Sequence, residues 1–270
     1  MGLSPTAILW LARQGNAIPC DSAANGKFMK ICILHIGHHD TNAKSNHPPS
    51  PVRFKTALAP LLPSATWTVI SAVSDELPQI ARFDAYLITG GKYSVFDAMD
   101  WQDRLFDFIR ASHAQKVPLV GVCYGQQAIA HALGGTVSRS DKGWGVGLMP
   151  VDVIRETDWA TPSKNVFLHA MHQDQVTELP PDADVFLASD FCPHSGFTVG
   201  DHFLAIQQHP DFTPGLNADL INRRKDRIGA AANAALESLN GQDDTEISVR
   251  WIAQFLAGSV KGRNELISSI

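Results

Sequence analysis

Gly121, Cys123 and Gly125 are spaced for nucleophilic chemistry. They lie in the run Pro118-Leu119-Val120-Gly121-Val122-Cys123-Tyr124-Gly125-Gln126-Gln127-Ala128-Ile129-Ala130. An apolar stretch stops at the cysteine, and a helix-forming stretch follows at once. This reads as a buried strand, a sharp turn and a helix, with one thiol at the apex. Such an elbow needs small neighbours so that strand and helix can approach. The helix N-terminus favours a thiolate there. The amide of Tyr124, just past the nucleophile, is placed to donate to a developing oxyanion. A buried, inert cysteine at a strand end fits the same residues.

A nucleophilic thiol needs a base, and the base needs an acceptor that orients it. Gln208-His209-Pro210-Asp211 supplies both types. His209 follows a predicted strand, at the edge where ligands gather in a parallel sheet. Asp211, two residues on, can turn back toward the imidazole. A solvated surface turn is the plainer reading of this tetrapeptide taken alone. Paired glycines at Gly90-Gly91, after the strand-like Ala85 to Thr89, suit backbone amides that approach a ligand closely, and here would complete an oxyanion hole.

The elements that must position these groups alternate. Strands are expected at Lys30 to Ile36, Trp67 to Val73, Ala85 to Thr89 and Val117 to Val122. Helices are expected at Ser50 to Leu62, from an N-cap at Asp100 onward, and after Cys123 to Gly134-Gly135. Trp101, Leu105, Phe108 and Ile109 share one helical face. Ile31 and Ile33 should face one side of the first strand, with Cys32, Leu34 and Ile36 on the other; apolar residues on both faces suit a strand between helix layers. Strands separated by helices imply a mainly parallel sheet. Closely spaced strands follow at Gly147 to Ile154, Asn165 to His169, Asp184 to Ser189, Gly196 to Val199 and Phe203 to Gln208. They suggest a small antiparallel extension. The chain turns helical after Pro214.

Composition narrows the function. The chain has 270 residues, 44% of them hydrophobic and 18% charged, enough for a sizeable core. A net charge of −5 argues against a nucleic-acid or anionic-membrane surface. The four cysteines are scattered without a CxxC pair, which favours a reduced, cytoplasmic setting. Thr6 to Ala12 is apolar but lacks the basic segment of a signal peptide. Residues 1–28 are expected to be a disordered extension or a mis-assigned start, with the folded domain opening at Met29. His35, His38, His39 and Asp40 could ligate a metal, but elbow chemistry needs none and no metal is expected. Gly143 to Gly147 reads as a turn, and the basic run Arg223, Arg224, Lys225, Arg227 as a solvated helix face.

Taken together, the motifs resemble those of class I, triad-type glutamine amidotransferases, most of all the stand-alone, GMP-synthase-like members. The family's G-x-C-x-G-x-Q elbow matches Gly121, Cys123, Gly125 and Gln127. Its Gly-Gly loop matches Gly90-Gly91. Its late His-Pro-Glu matches His209-Pro210, with Asp211 in the acidic place. Met171-His172-Gln173-Asp174-Gln175-Val176, followed by Leu179-Pro180, is similar to a segment lining the glutamine site. The resemblance covers roughly residues 29 to 211. It implies a three-layer α/β sandwich, flavodoxin-like, with a central mostly parallel sheet, spanning 29–258 and followed by a tail at 259–270.

The resemblance also implies roles. Cys123 attacks the glutamine side-chain amide, His209 moves the protons, and Asp211 orients His209. The amides of Gly91 and Tyr124 hold the oxyanion, while Gly90, Gln127, Tyr93 and Ser94 contact substrate. No cofactor is implied. No P-loop or synthetase motif appears, so an ammonia acceptor would lie on a partner protein. The alternatives are a γ-glutamyl hydrolase or cysteine peptidase-like enzyme of this fold, and a non-catalytic regulatory homologue. Asp211 is one methylene shorter than the family's Glu. On sequence grounds Asp211→Glu is expected to preserve or raise activity.

Overall fold

The computed structural model describes residues 28–38, 46–160 and 165–268. Residues 1–27, and with them the expected N-terminal extension, lie outside the described residues, as do His39 and Asp40. The strands are β1 (Met29–His35), β2 (Ala65–Ser71), β3 (Ala85–Ile88), β4 (Leu119–Val122), β5 (Thr136–Arg139), β6 (Gly145–Val153), β7 (Asn165–His172), β8 (Asp174–Glu178), β9 (Ala183–Ala188), β10 (Gly196–Val199) and β11 (Phe203–Ile206). The helices are α1 (Ser50–Leu58), α2 (Asp100–Ala114), α3 (Tyr124–Ala132), α4 (Pro214–Arg223), α5 (Lys225–Ile228), α6 (Ala231–Ser238) and α7 (Thr245–Ser268).

Nine strands form one mixed sheet in the order β2-β1-β3-β4-β11-β10-β9-β6-β7. Its core is parallel: β1 pairs with β2 and β3, β3 with β4, and β4 with β11. From β11 outward every pairing is antiparallel. The antiparallel part is therefore much larger than a small extension, because β9, β10, β6 and β7 all join the main sheet. β5 and β8 form a separate two-stranded ribbon, which no sequence period announced.

Alternation along β1 works as its residues dictate. Ile31 and Ile33 enter a core shared with Phe54 and Leu58 of α1 and Trp251 and Phe255 of α7. Cys32 and Leu34 enter the opposite core, with Leu105 and Ile109 of α2 and Ile129 of α3. The predicted face of α2 is buried at all four positions, although its N-cap is Met99 rather than Asp100. A third cluster joins Ile221 of α4 and Ala232 of α6 to Val146 and Met171 on the antiparallel strands. The last helix runs without a break through residue 259.

The parallel core sets the position of the chemistry. β1, β3, β4 and β11 all point the same way, so the segments after Ile88, Val122 and Ile206 emerge on one edge of the sheet. Close approach at the β4–α3 turn leaves no room for side chains. A Cβ on Gly125 would stand 2.5 Å from the Ile88 carbonyl oxygen, and one on Gly121 would stand 2.5 Å from the Gly125 carbonyl.

Candidate active site

Cys123 follows β4 and caps α3 with φ 53° and ψ −104°, a conformation that L residues rarely adopt. A backbone held there costs of order 1–3 kcal/mol and persists only where its surroundings fix it. Here the Cys123 amide donates to the Ile206 carbonyl at 2.8 Å, and its carbonyl accepts from the Gln127 amide at 3.1 Å. The turn places Tyr124 at the first position of α3. Amides of a helix's first turn have no intrahelical acceptor, so that N–H is free to meet a ligand.

His209 lies three residues beyond β11, and its amide donates to the His169 carbonyl at 2.8 Å. The imidazole lies beside Cys123, the two side chains meeting at Gly90, and stands 3.3 Å from Asp211 Oδ1 through Nδ1. Phe212 stacks on the ring, with centroids 3.9 Å apart. Burial alone would push the imidazole's pKa down. The charge of Cys123 and the hydrogen bonds to Asp211 and Cys123 outweigh it and raise the pKa to about 9. Burial likewise opposes the charge on Asp211, but His209 and Arg53 overcome it and hold the carboxyl at about 2. The arrangement favours an imidazolium between a carboxylate and a sulfur. Two further described cysteines are buried: burial lifts Cys32 to about 12 and Cys192 to about 11, which leaves them inert thiols.

Asp211 is held by residues that sequence reasoning missed. Its Oδ2 accepts from Ser50 Oγ at 2.8 Å, Arg53 Nη2 at 2.6 Å and Arg53 Nε at 3.1 Å. Both partners stand at the start of α1. Arg53 Nε also reaches the Asp211 backbone carbonyl at 3.0 Å, and the guanidinium lies over Phe212.

The glycine pair after β3 adjoins these groups. A Cβ on Gly90 would stand 2.7 Å from His209 Cε1 and 3.4 Å from Cys123 Cβ, so only glycine lets this strand end lie against the pair. Gly91 is part of the lining of a cleft of about 270 Å³ that opens beside Cys123. Tyr93, Ser94, Tyr124 and Gln127 line it too, whereas Gly90, His209 and Asp211 are not part of the lining. Gln127 is tied to the wall, its Nε2 donating to the Asp174 carbonyl at 2.8 Å and to Gln207 Oε1 at 3.1 Å. Tyr124 OH accepts from Gln102 Nε2 at 2.8 Å, which also donates to the Ser94 carbonyl at 2.7 Å. That buried glutamine fastens the loop after β3 to α3.

The far wall comes from the Met171–Asp174 segment. His172 is buried, and burial lowers its pKa to about 4. Its Nε2 has no hydrogen-bond partner among the described residues. Asp174 is engaged by Ser94 Oγ and by Arg139 at 3.2 Å. Two readings of the sequence are corrected here. Gly145 to Gly147 already belong to β6 rather than to a turn, and Trp144 lines the cleft. The basic run is not simply a solvated face, because Arg224 and Arg227 also line the cleft. Among the described residues no cluster of His, Cys, Asp and Glu is placed to hold a metal ion.

The family model for glutamine amidotransferase class-I matches residues 63–225. Gamma-glutamyl peptidase 3 of Arabidopsis thaliana is 26% identical over 168 residues, covering 58% of this chain and 67% of that protein. The glutamine-hydrolyzing GMP synthase of Aromatoleum aromaticum is 29% identical over 152 residues, covering 52% of this chain and 28% of that protein. The matched region thus spans about two thirds of the first of these relatives and much less of the second. A solved glutamine amido transferase from Methylobacillus flagellatus superposes with a TM-score of 0.69 at 21% identity, covering 88% of this chain and 96% of that one.

Proposed function

Because the chain belongs to the class-I glutamine amidotransferase family, we propose that it hydrolyses a γ-glutamyl amide, in the first instance the side-chain amide of glutamine, through a thioester on Cys123. The observation that carries this reading is the succession of Cys123, which lines the cleft, His209 beside it, and Asp211 hydrogen-bonded to His209. The thiolate attacks the amide carbonyl carbon. The oxyanion forms against the amides of Gly91 and Tyr124, a type of contact worth about 3 kcal/mol per donor. The tetrahedral intermediate collapses, the carbon–nitrogen bond breaks, and the imidazolium gives its proton to the departing nitrogen. His209 then takes a proton from water, whose oxygen attacks the thioester. Glutamate leaves and the sulfur is regenerated. Gln127, Tyr93 and Ser94 stand where the acyl group would bind, with Gly90 keeping the strand end close to His209.

Ammonia from glutamine would pass to an acceptor reaction on a partner protein. A γ-glutamyl hydrolase is the second reading, favoured by the peptidase relative and by the cationic wall of the cleft. Cys32, Cys123 and Cys192 are all free, which suits a reducing, cytoplasmic compartment. Among the described residues no helix is long and apolar enough to cross a membrane. Replacing Cys123 with Ala should abolish ammonia release from glutamine, and release from γ-glutamyl amides, while leaving the fold intact by circular dichroism. Undiminished release by that variant sinks the mechanism.

A further inference from the structure

The charges around the cleft are unequally satisfied. Of the two acids in the lining, Asp174 is occupied by Arg139 and Ser94, and Asp97 accepts from the Ser94 amide at 2.9 Å. Among the described residues, Arg224 and Arg227, the lining cations contributed by the helical segment after β11, make no ion pair with an acid. Arg227 packs its guanidinium over the Trp144 ring, 5.5 Å from the centroid. Arg224 is half-buried, and the charges it feels are those of Arg227, Arg223 and Cys123, none of them a carboxylate. Burial and the two neighbouring guanidinium groups push its pKa down. Guanidinium groups gathered in a partly desolvated wall are unfavourable until an anion joins them, and their planar forks match a carboxylate.

That anion would lie in the cleft that holds the reacting sulfur, because Arg224, Arg227 and Cys123 all line it. Ammonia leaving from glutamine offers nothing to such a site. An amino acid leaving from a γ-glutamyl bond carries a carboxylate on the carbon attached to the scissile nitrogen. We propose that Arg224, with Arg227 beside it, is a specificity-determining subsite for that leaving-group carboxylate, so that γ-glutamyl amino acids with a free α-carboxylate are preferred to glutamine. The catalytic consequence rests on the thioester reading above; the binding consequence does not.

The two are separated by measuring binding without turnover. In Cys123→Ala protein, calorimetry with γ-glutamylglycine, γ-glutamylglycinamide and glutamine should show the free acid binding about tenfold more tightly than its amide, the range of a charge-assisted hydrogen bond. Adding Arg224→Met should erase that difference while glutamine and the glycinamide bind as before. Arg224→Lys, which keeps the charge but not the fork, should retain part of it and serves if the Met variant does not fold. Equal binding of acid and amide in the parent overturns the proposal, as does no detectable binding of γ-glutamylglycine. Uniform weakening of all three ligands by Arg224→Met also overturns it, since the pair would then hold the glutamyl α-carboxylate. If the binding pattern is as expected but Cys123 proves dispensable for turnover in native protein, the subsite stands and the mechanism falls.

Discussion

At the scale of single residues, the point of interest is how a short acid serves in the place where the family carries a longer one. Asp211 is not short of partners. Oδ1 faces His209, and Oδ2 is filled by Ser50 and by the fork of Arg53. The side chain is 1% exposed, so an added methylene has no solvent to enter. Overpacking a closed site costs about 1–3 kcal/mol, and a displaced buried ion pair costs more. This geometry reverses the expectation drawn from sequence. Asp211→Glu should lower kcat on glutamine by about tenfold or more and should also lower stability. Steady-state kinetics with a urea melt of the same protein will check both, and unchanged kcat would mean that α1 yields to the longer acid. Arg53 gave no signal of this role in the sequence, because its partner lies 158 positions away and no local pattern joins them.

At the scale of elements, the sequence was legible wherever the chemistry followed an apolar strand. Gly90-Gly91, Cys123 and His209 each stand just beyond a buried run, and the strand-turn-helix signal is local. The β5–β8 ribbon was not legible, because β5 is short and partly exposed and neither strand has a clean alternation. The role of the basic run was hidden for a different reason. α4 ends at Arg223, the backbone of Arg224 leaves helical values at φ −113° and ψ 12°, and α5 starts afresh. No residue type near that break announces a stop. The elbow itself depends on two glycines packed against backbone rather than against movable side-chain ends. Gly125→Ala would press on the Ile88 carbonyl, and the β4–α3 turn has no slack to absorb it. A loss of about 2 kcal/mol is expected, read as a lower urea midpoint, together with weaker hydrolysis.

At the scale of the whole molecule, the buried charges tie stability to pH. Folded His209 holds its proton up to about 9, above its ordinary 6.5, so the native state binds more protons than the unfolded one in that interval. Its contribution is complete below about 6.5 and is lost as pH rises through about 9. Asp211 works the other way: depressed from 3.8 to about 2, it contributes above about 3.8 and is lost as pH falls through about 2. Urea midpoints should therefore decline between pH 6.5 and 9, and Cys123→Ala, lacking the charge that does most to raise His209, should flatten that decline. An equal slope in both proteins would show that the sulfur does not govern the imidazole. The sheet order has a consequence of another kind. β4 and β11 are direct neighbours, yet the ribbon and the antiparallel strands are all looped out between them in the chain. The sulfur and the imidazole are thus fastened by one strand pairing and by the bond from the His209 amide to β7, while Met171–Asp174 and the segment carrying Arg224 and Arg227 hang from the periphery. Insertions or swaps in those outer parts that keep the His169 carbonyl on the His209 amide can alter what enters the cleft without moving the reacting pair. A lineage built this way can change its substrates by editing the walls of the room and leaving the machinery on its bench.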